Sequence, residues 1–215
     1  NKLEKSCALP STTLCKAIQL INEGFDPPQE IQAVDLGCGN GVDTASMLQE
    51  GYHVLAIDKE PDALRHIAKT LAPRYSGKLR VLLSPFEDLD ELPANNLVNA
   101  SFCLPFCPPD HFAPFWSLIS QSILPGRYFS GHFFGPRDSW SSNTQMTFHT
   151  KQAVEALFRG FQLSYFEETA KNGKTISGRT SSGTFSMWWP KRKRFWNKVM
   201  IGTSQKESHL RMKSF

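Results

Sequence analysis

The chain has 215 residues, 40% of them hydrophobic, and a formal net charge of +4. Its length suits one domain with a substantial core, but its charge is uneven: residues 190–215 hold eight Lys/Arg and one acid, Glu207, leaving residues 1–189 with 16 basic and 19 acidic groups. A body of net −3 gives no footing for nucleic acid, and no apolar run approaches bilayer-spanning length, so neither nucleic acid nor membrane is an expected partner.

Ser11 to Gly24 reads as a capped helix, with Ser11 as N-cap and Leu14, Ile18 and Ile21 on one face. A strand over about 31–36, a helix over 42–50 and a second strand over 52–58 follow. Pro61 opens a helix to about Ala72, and Leu79 to Leu83 forms a third strand. A fourth strand spans Leu97 to Leu104, and Asp110 caps a helix carrying Phe112, Phe115, Trp116, Ile119 and Ile123. A turn at Leu124-Pro-Gly126 leads into a fifth strand, Arg127 to Phe134. Thr150 caps a helix with Val154, Leu157 and Phe158 inward, and Phe161 to Phe166 is a sixth strand. Such alternation predicts an α/β fold, a Rossmann-like doubly wound sheet that is mostly parallel.

Within this pattern Ala33-Val-Asp-Leu-Gly-Cys-Gly-Asn-Gly41 is a strand, a tight glycine turn and a helix start. Glycines allow the sharp turn and the close approach of a ligand. Asp35 stands just before them, where a fixed negative charge suits a cationic ligand better than a pyrophosphate. The dinucleotide pattern G-x-G-x-x-G is the rival, but the third glycine comes one position early and Val42 occupies its last place. The second strand ends in Asp58, followed by Lys59. An acid at that tip can accept both hydroxyls of a ribose, or cap the next helix. Five cysteines at irregular spacing make no disulfide framework, which points to reduced thiols in a cytoplasmic protein. No secretory signal is legible. Cys103 and Cys107 flank Pro105 with no second Cys/His pair elsewhere, so no metal site is expected.

Asp35-Leu-Gly-Cys-Gly-Asn-Gly41 resembles the first motif of the class I S-adenosylmethionine-dependent methyltransferases: an acid, an apolar residue, then Gly-x-Gly-x-Gly. Asn99-Ala-Ser-Phe102, Leu104-Pro-Phe106 and Gly131-His-Phe-Phe-Gly-Pro-Arg-Asp138 look like stretches of bacterial methyltransferases of this class, over about residues 9–180. The resemblance implies S-adenosylmethionine as cofactor and an antiparallel last strand, sought after Gly173. It implies cofactor contacts from Asp35, Gly37, Cys38, Gly39, Asn40, Asp58 and Lys59. It sets Phe86 and Glu87 against the adenine, and Ser101 and Phe102 at the methionine end. His132 and His149 are the candidate bases. No Asn/Asp-Pro-Pro-Tyr/Phe motif follows the fourth strand, which argues against a nucleobase or amide nitrogen acceptor. A small-molecule acceptor, a carboxylate, hydroxyl or thiol, is expected. A cofactor-binding module without activity and an NAD-dependent oxidoreductase are the alternatives.

The pattern breaks near Ser181. The family ends with a strand like Trp-His-Ile-Phe, then small apolar residues and lysines, whereas residues 183–192 read Gly-Thr-Phe-Ser-Met-Trp-Trp-Pro-Lys-Arg. The codons TGG CAC ATT TTC AAT GTG GTG GCC AAA AAG A encode Trp-His-Ile-Phe-Asn-Val-Val-Ala-Lys-Lys, and without their first base they encode residues 183–192 as they stand. The expectation is a methyltransferase domain over 1–180 and a C-terminal segment, 181–215, that is off-frame and packs poorly. A solvated tail or an arm for nucleic acid or a membrane surface is the alternative.

Overall fold

Glycine and proline punctuation sets where the strands end. A computed structural model describes residues 9–24, 30–174, 180–186 and 197–204. The elements are α1 (Thr12–Gly24), β1 (Gln32–Leu36), α2 (Val42–Gln49), β2 (His53–Asp58), α3 (Pro61–Thr70) and β3 (Leu79–Leu83). After these come β4 (Asn95–Ala100), α4 (Pro109–Ser122), β5 (Ile123–Phe134), α5 (Lys151–Leu157), β6 (Phe161–Lys174), β7 (Thr180–Ser186) and β8 (Asn197–Ser204). Ser11 and Thr150 cap as expected: Leu14 N–H donates to Ser11 Oγ at 3.3 Å and Ala153 N–H to Thr150 Oγ1 at 3.1 Å.

The strands form one sheet in the order β3-β2-β1-β4-β5-β8-β6-β7. Every pairing is parallel except β6 with β7. The fold is the Rossmann-like, mostly parallel α/β sheet read from the sequence. The antiparallel strand after Gly173 is β7, at the sheet edge. The chain's final strand, β8, lies between β5 and β6, parallel to both. Residues 1–8, 187–196 and 205–215 lie outside the described residues, and with them most of the basic tail.

Helices cover both faces. Leu14, Ala17, Ile18 and Ile21 of α1 pack with Met47, Leu48, Tyr52 and Tyr128. On the other face Phe112, Phe115, Trp116 and Ile119 of α4 meet Phe129, Phe133 and Phe158, and Trp116 Nε1 donates to the Leu157 carbonyl at 3.1 Å. Three strand boundaries differ most from expectation: β5 starts at Ile123, running through the expected turn at Leu124-Pro-Gly126, β6 continues to Lys174 rather than Phe166, and β4 stops short. The fourth strand ends at Ala100, because Phe102 takes a left-handed backbone (φ 58) and a 3-10 turn forms at Leu104–Phe106. The run to Leu104 is apolar enough for a strand, but its backbone turns away from the sheet.

Candidate active site

The chain builds β1, β2 and β3 outward in one direction, then returns to lay β4 on the other side of β1. Where the order reverses, the carboxyl ends of β1 and β4 diverge and leave a crevice. A cavity of about 200 Å³ opens there. Gly37, Asp58, Lys59, Ser84, Phe86 and Glu87 line the side of β1 to β3, and Ser101, Phe102, Cys103 and Phe106 line the side of β4.

The glycine loop needs its glycines for two different reasons. Gly37, Gly39 and Gly41 all have positive φ (61, 51 and 79), a region that costs other residues about 1–2 kcal/mol. Gly37 is also sterically locked: a Cβ there would stand 2.3 Å from Cys103 Cβ. At Gly41 it would meet Ile67 Cγ1 at 2.7 Å. At Gly39 it would meet nothing within 4 Å, so the tip of the loop borders open space. Gly39 N–H donates to Asp58 Oδ2 at 2.8 Å and Glu60 N–H to Asp58 Oδ1 at 3.0 Å. One carboxylate thus ties the glycine loop to the tip of β2 and to the turn that leads into α3.

Asp35 does not line the cavity. It is 1% exposed beneath the loop, accepting from Thr44 Oγ1 at 2.5 Å and from Asn99 Nδ2 at 2.8 Å. Burial, then the nearby Asp43 carboxylate, raise its pKa from 3.8 to about 7. Asn99 Nδ2 also donates to Asp43 Oδ2 at 3.0 Å. Asp43 in turn accepts from the Ser11 N–H and hydroxyl at 2.8 and 2.9 Å, and Ser101 Oγ donates to Ser11 Oγ at 2.8 Å. This chain of bonds joins the start of α1, the start of α2 and the cavity wall.

Of the residues picked from sequence, the structure brings Gly37, Asp58, Lys59, Phe86, Glu87, Ser101 and Phe102 to one cavity. Cys38 turns into the core with Ala56, Leu64 and Ile67. Gly39 and the exposed Asn40 form the outer turn of the loop. Neither histidine lines the cavity. His149 lies among aromatics, 4.4 Å from Phe112 and 5.5 Å from Phe133 between ring centroids, and burial lowers its pKa to about 4. His132 is 5% exposed and stacks on Phe102 with centroids 3.7 Å apart; burial lowers its pKa to about 3. Both are neutral at pH 7 and weak as proton acceptors. Ser84, Pro85, Cys103 and Phe106 also line the cavity; they belong to the stretches after β3 and β4 where ligands bind in such sheets, but are not among the residues singled out from the sequence. Burial holds the Cys103 thiol well above its usual range, so it offers no thiolate.

Residues 33–126, which include the loop and most of the cavity wall, match a family model described as a methyltransferase domain. This span of the chain is thus a methyltransferase domain. TehB from Haemophilus influenzae superposes on it with a TM-score of 0.62 at 11% identity, over 80% of this chain and 60% of that one. A SAM-dependent methyltransferase from Methanosarcina mazei gives 0.58 at 17% identity, over 84% of this chain and 97% of that one. The 1,6-didemethyltoxoflavin-N1-methyltransferase of Burkholderia thailandensis, with bound 1,6-didemethyltoxoflavin and S-adenosylhomocysteine, gives 0.54 at 20%, over 82% and 78%. At these identities the likeness is one of fold. No curated protein matches the chain. Among the described residues no helix is long and apolar enough to cross a membrane.

Proposed function

We propose that this methyltransferase moves a methyl group to a small-molecule acceptor. The observation that carries the reading is the placement of Asp58, Phe86-Glu87 and the Gly37–Gly41 bend around one crevice at the reversal of strand order. When bound, S-adenosylmethionine supplies a sulfonium whose methyl carbon is open to in-line displacement. Asp58 retains lone pairs beyond the two taken by Gly39 and Glu60, and these accept the ribose hydroxyls. Phe86, stacked on Phe115 with centroids 4.6 Å apart, gives the adenine a fixed apolar wall, and Glu87 accepts from its amino group. Ser101 and Cys103 line the opposite wall, where the reacting end lies. Asp35 acts from below the loop, its charge drawn out by a cationic ligand rather than touching it. The open tip at Gly39 leaves room for such a ligand.

Transfer here rests on alignment and exclusion of water, not on a histidine base. An acceptor that must lose a proton gives it to solvent or arrives ionised. The domain spans residues 1–180, in a cytoplasmic setting that keeps its thiols reduced, and residues 181–215 are the product of a shifted reading frame.

Calorimetry with S-adenosylhomocysteine and with NADH tests the cofactor: micromolar binding of the first alone is expected. Incubation with methyl-labelled S-adenosylmethionine and a metabolite panel tests the reaction. Tight binding with no labelled product would leave a binding module and overturn the enzymatic reading.

A further inference from the structure

The cavity has two unlike walls. Its charged lining residues, Asp58, Lys59 and Glu87, lie at or just beyond the ends of β2 and β3. The wall after β4 is aromatic and uncharged: Phe102 is 44% exposed and Phe106 43% exposed, and both line the cavity. Large apolar side chains that stay this exposed at a cavity rim mark a ligand surface. Phe102 is also the one non-glycine residue with positive φ among those described (φ 58), a conformation that bulky residues rarely hold. Backbone of this kind concentrates at functional sites. Here it delivers a ring to the cavity that would otherwise turn into the sheet. The ring is held flat: His132 stacks on it at 11° between planes, and His132 is itself 5% exposed on β5. Phe106 is braced edge-on by Trp140, with centroids 5.8 Å apart.

We infer that the acceptor is a planar, uncharged aromatic or heteroaromatic small molecule, stacked on Phe102 and flanked by Phe106, with its nucleophilic substituent toward Ser101. This deepens the proposed function and rests on it. A carboxylate acceptor would need a cation on this wall, and among the described residues the only cationic one lining the cavity, Lys59, belongs to the opposite wall. An aliphatic acceptor would gain nothing from rings fixed in orientation, whereas a planar one gains stacking. His132 is then a positioning residue, and its neutrality follows from its place beneath the ring.

The test uses the full chain with saturating S-adenosylhomocysteine and two probes, 2-naphthol and its saturated counterpart decahydro-2-naphthol, read by ligand-observed NMR titration. Wild type is expected to bind 2-naphthol at least fivefold more tightly than the saturated ring. Phe102→Leu is expected to lower 2-naphthol affinity at least five times more than it lowers S-adenosylhomocysteine affinity, and Phe102→Tyr to restore it. Phe106→Leu is the second variant, at an exposed site where folding is not at stake, with the same direction. Equal binding of the two probes, or 2-naphthol affinity indifferent to both leucine variants, would overturn the inference while leaving the methyltransferase reading intact. Failure of S-adenosylhomocysteine itself to bind would instead strike the proposed function.

Discussion

Replacing Asp35 with Asn removes one titration and keeps the local bonding. Asp35 is 1% exposed, and burial with the Asp43 carboxylate raises its pKa from 3.8 to about 7. The folded pKa lies above the unfolded one, so the folded chain holds this proton more tightly. The stability it confers is complete below about pH 3.8 and is lost as the pH rises towards 7. At 1.36 kcal/mol per unit the difference comes to about 4 kcal/mol. In Asp35→Asn, Oδ1 still accepts from Asn99, and the amide donates to the Thr44 hydroxyl, which can rotate to receive it. Urea unfolding of both proteins without ligand, at half-unit steps from pH 4 to 8, measures the effect. Groups common to both chains cancel in the difference. The two proteins are expected to be nearly equal at pH 4, and the variant more stable by about 4 kcal/mol at pH 8. A difference that stays flat with pH would refute the buried, proton-holding Asp35. The same variant is expected to lose more affinity for S-adenosylmethionine than for S-adenosylhomocysteine, since only the first carries the sulfonium charge.

Gly37→Ala places a Cβ 2.3 Å from Cys103 Cβ at φ 61 and is expected to destabilise by about 3 kcal/mol. Gly39→Ala meets open space, and its cost stays at the backbone's about 1 kcal/mol; thermal melts of the pair separate clash from conformation. Asp58→Ala leaves the Gly39 and Glu60 N–H groups without their acceptor, costing about 2 kcal/mol. It is expected to weaken S-adenosylhomocysteine at least tenfold by calorimetry, and unchanged affinity would remove Asp58 from the nucleoside site. With His132 near 3 and His149 near 4, neither changes charge between pH 5 and 8. Once an acceptor is in hand, His149→Gln should therefore leave the shape of the rate profile over that range unaltered. Sequencing the encoding gene is expected to show that one added base near codon 181 restores Trp-His-Ile-Phe; a frame with incompatible codons would dispose of that reading.

The fold was legible because local signals and global packing agree along residues 9–166. Caps at Ser11 and Thr150, Pro61 at a helix start and apolar runs between them each specify one element, and those elements stack in one way. The end of β4 was not legible. Leu97 to Leu104 is apolar apart from Asn99 and Ser101, and nothing in its pattern says that Phe102 adopts a left-handed backbone. The next residue, Cys103, fits closely against Gly37, 66 positions away. Long-range steric locks of this kind leave no periodicity to read.

The site shows the same division more sharply. Sequence position told which residues stand at strand ends, and seven of those picks share the cavity. It could not tell which way a side chain turns at the strand's last residues, where the alternation of faces breaks down. Asp35 lies one residue before the end of β1 and points under the loop; Asp58 ends β2 and points into it. Both are acids beside the same glycines, yet one is a buried proton holder and the other a clamp with oxygen lone pairs at the cavity. The signal that separates them was present in Asn99, a polar residue inside an otherwise apolar strand. Strand pairing sets Asn99 directly beside Asp35, and a buried amide there requires a buried partner. Read together, those two residues place the first acid in the interior and leave the second as the one able to reach a ligand.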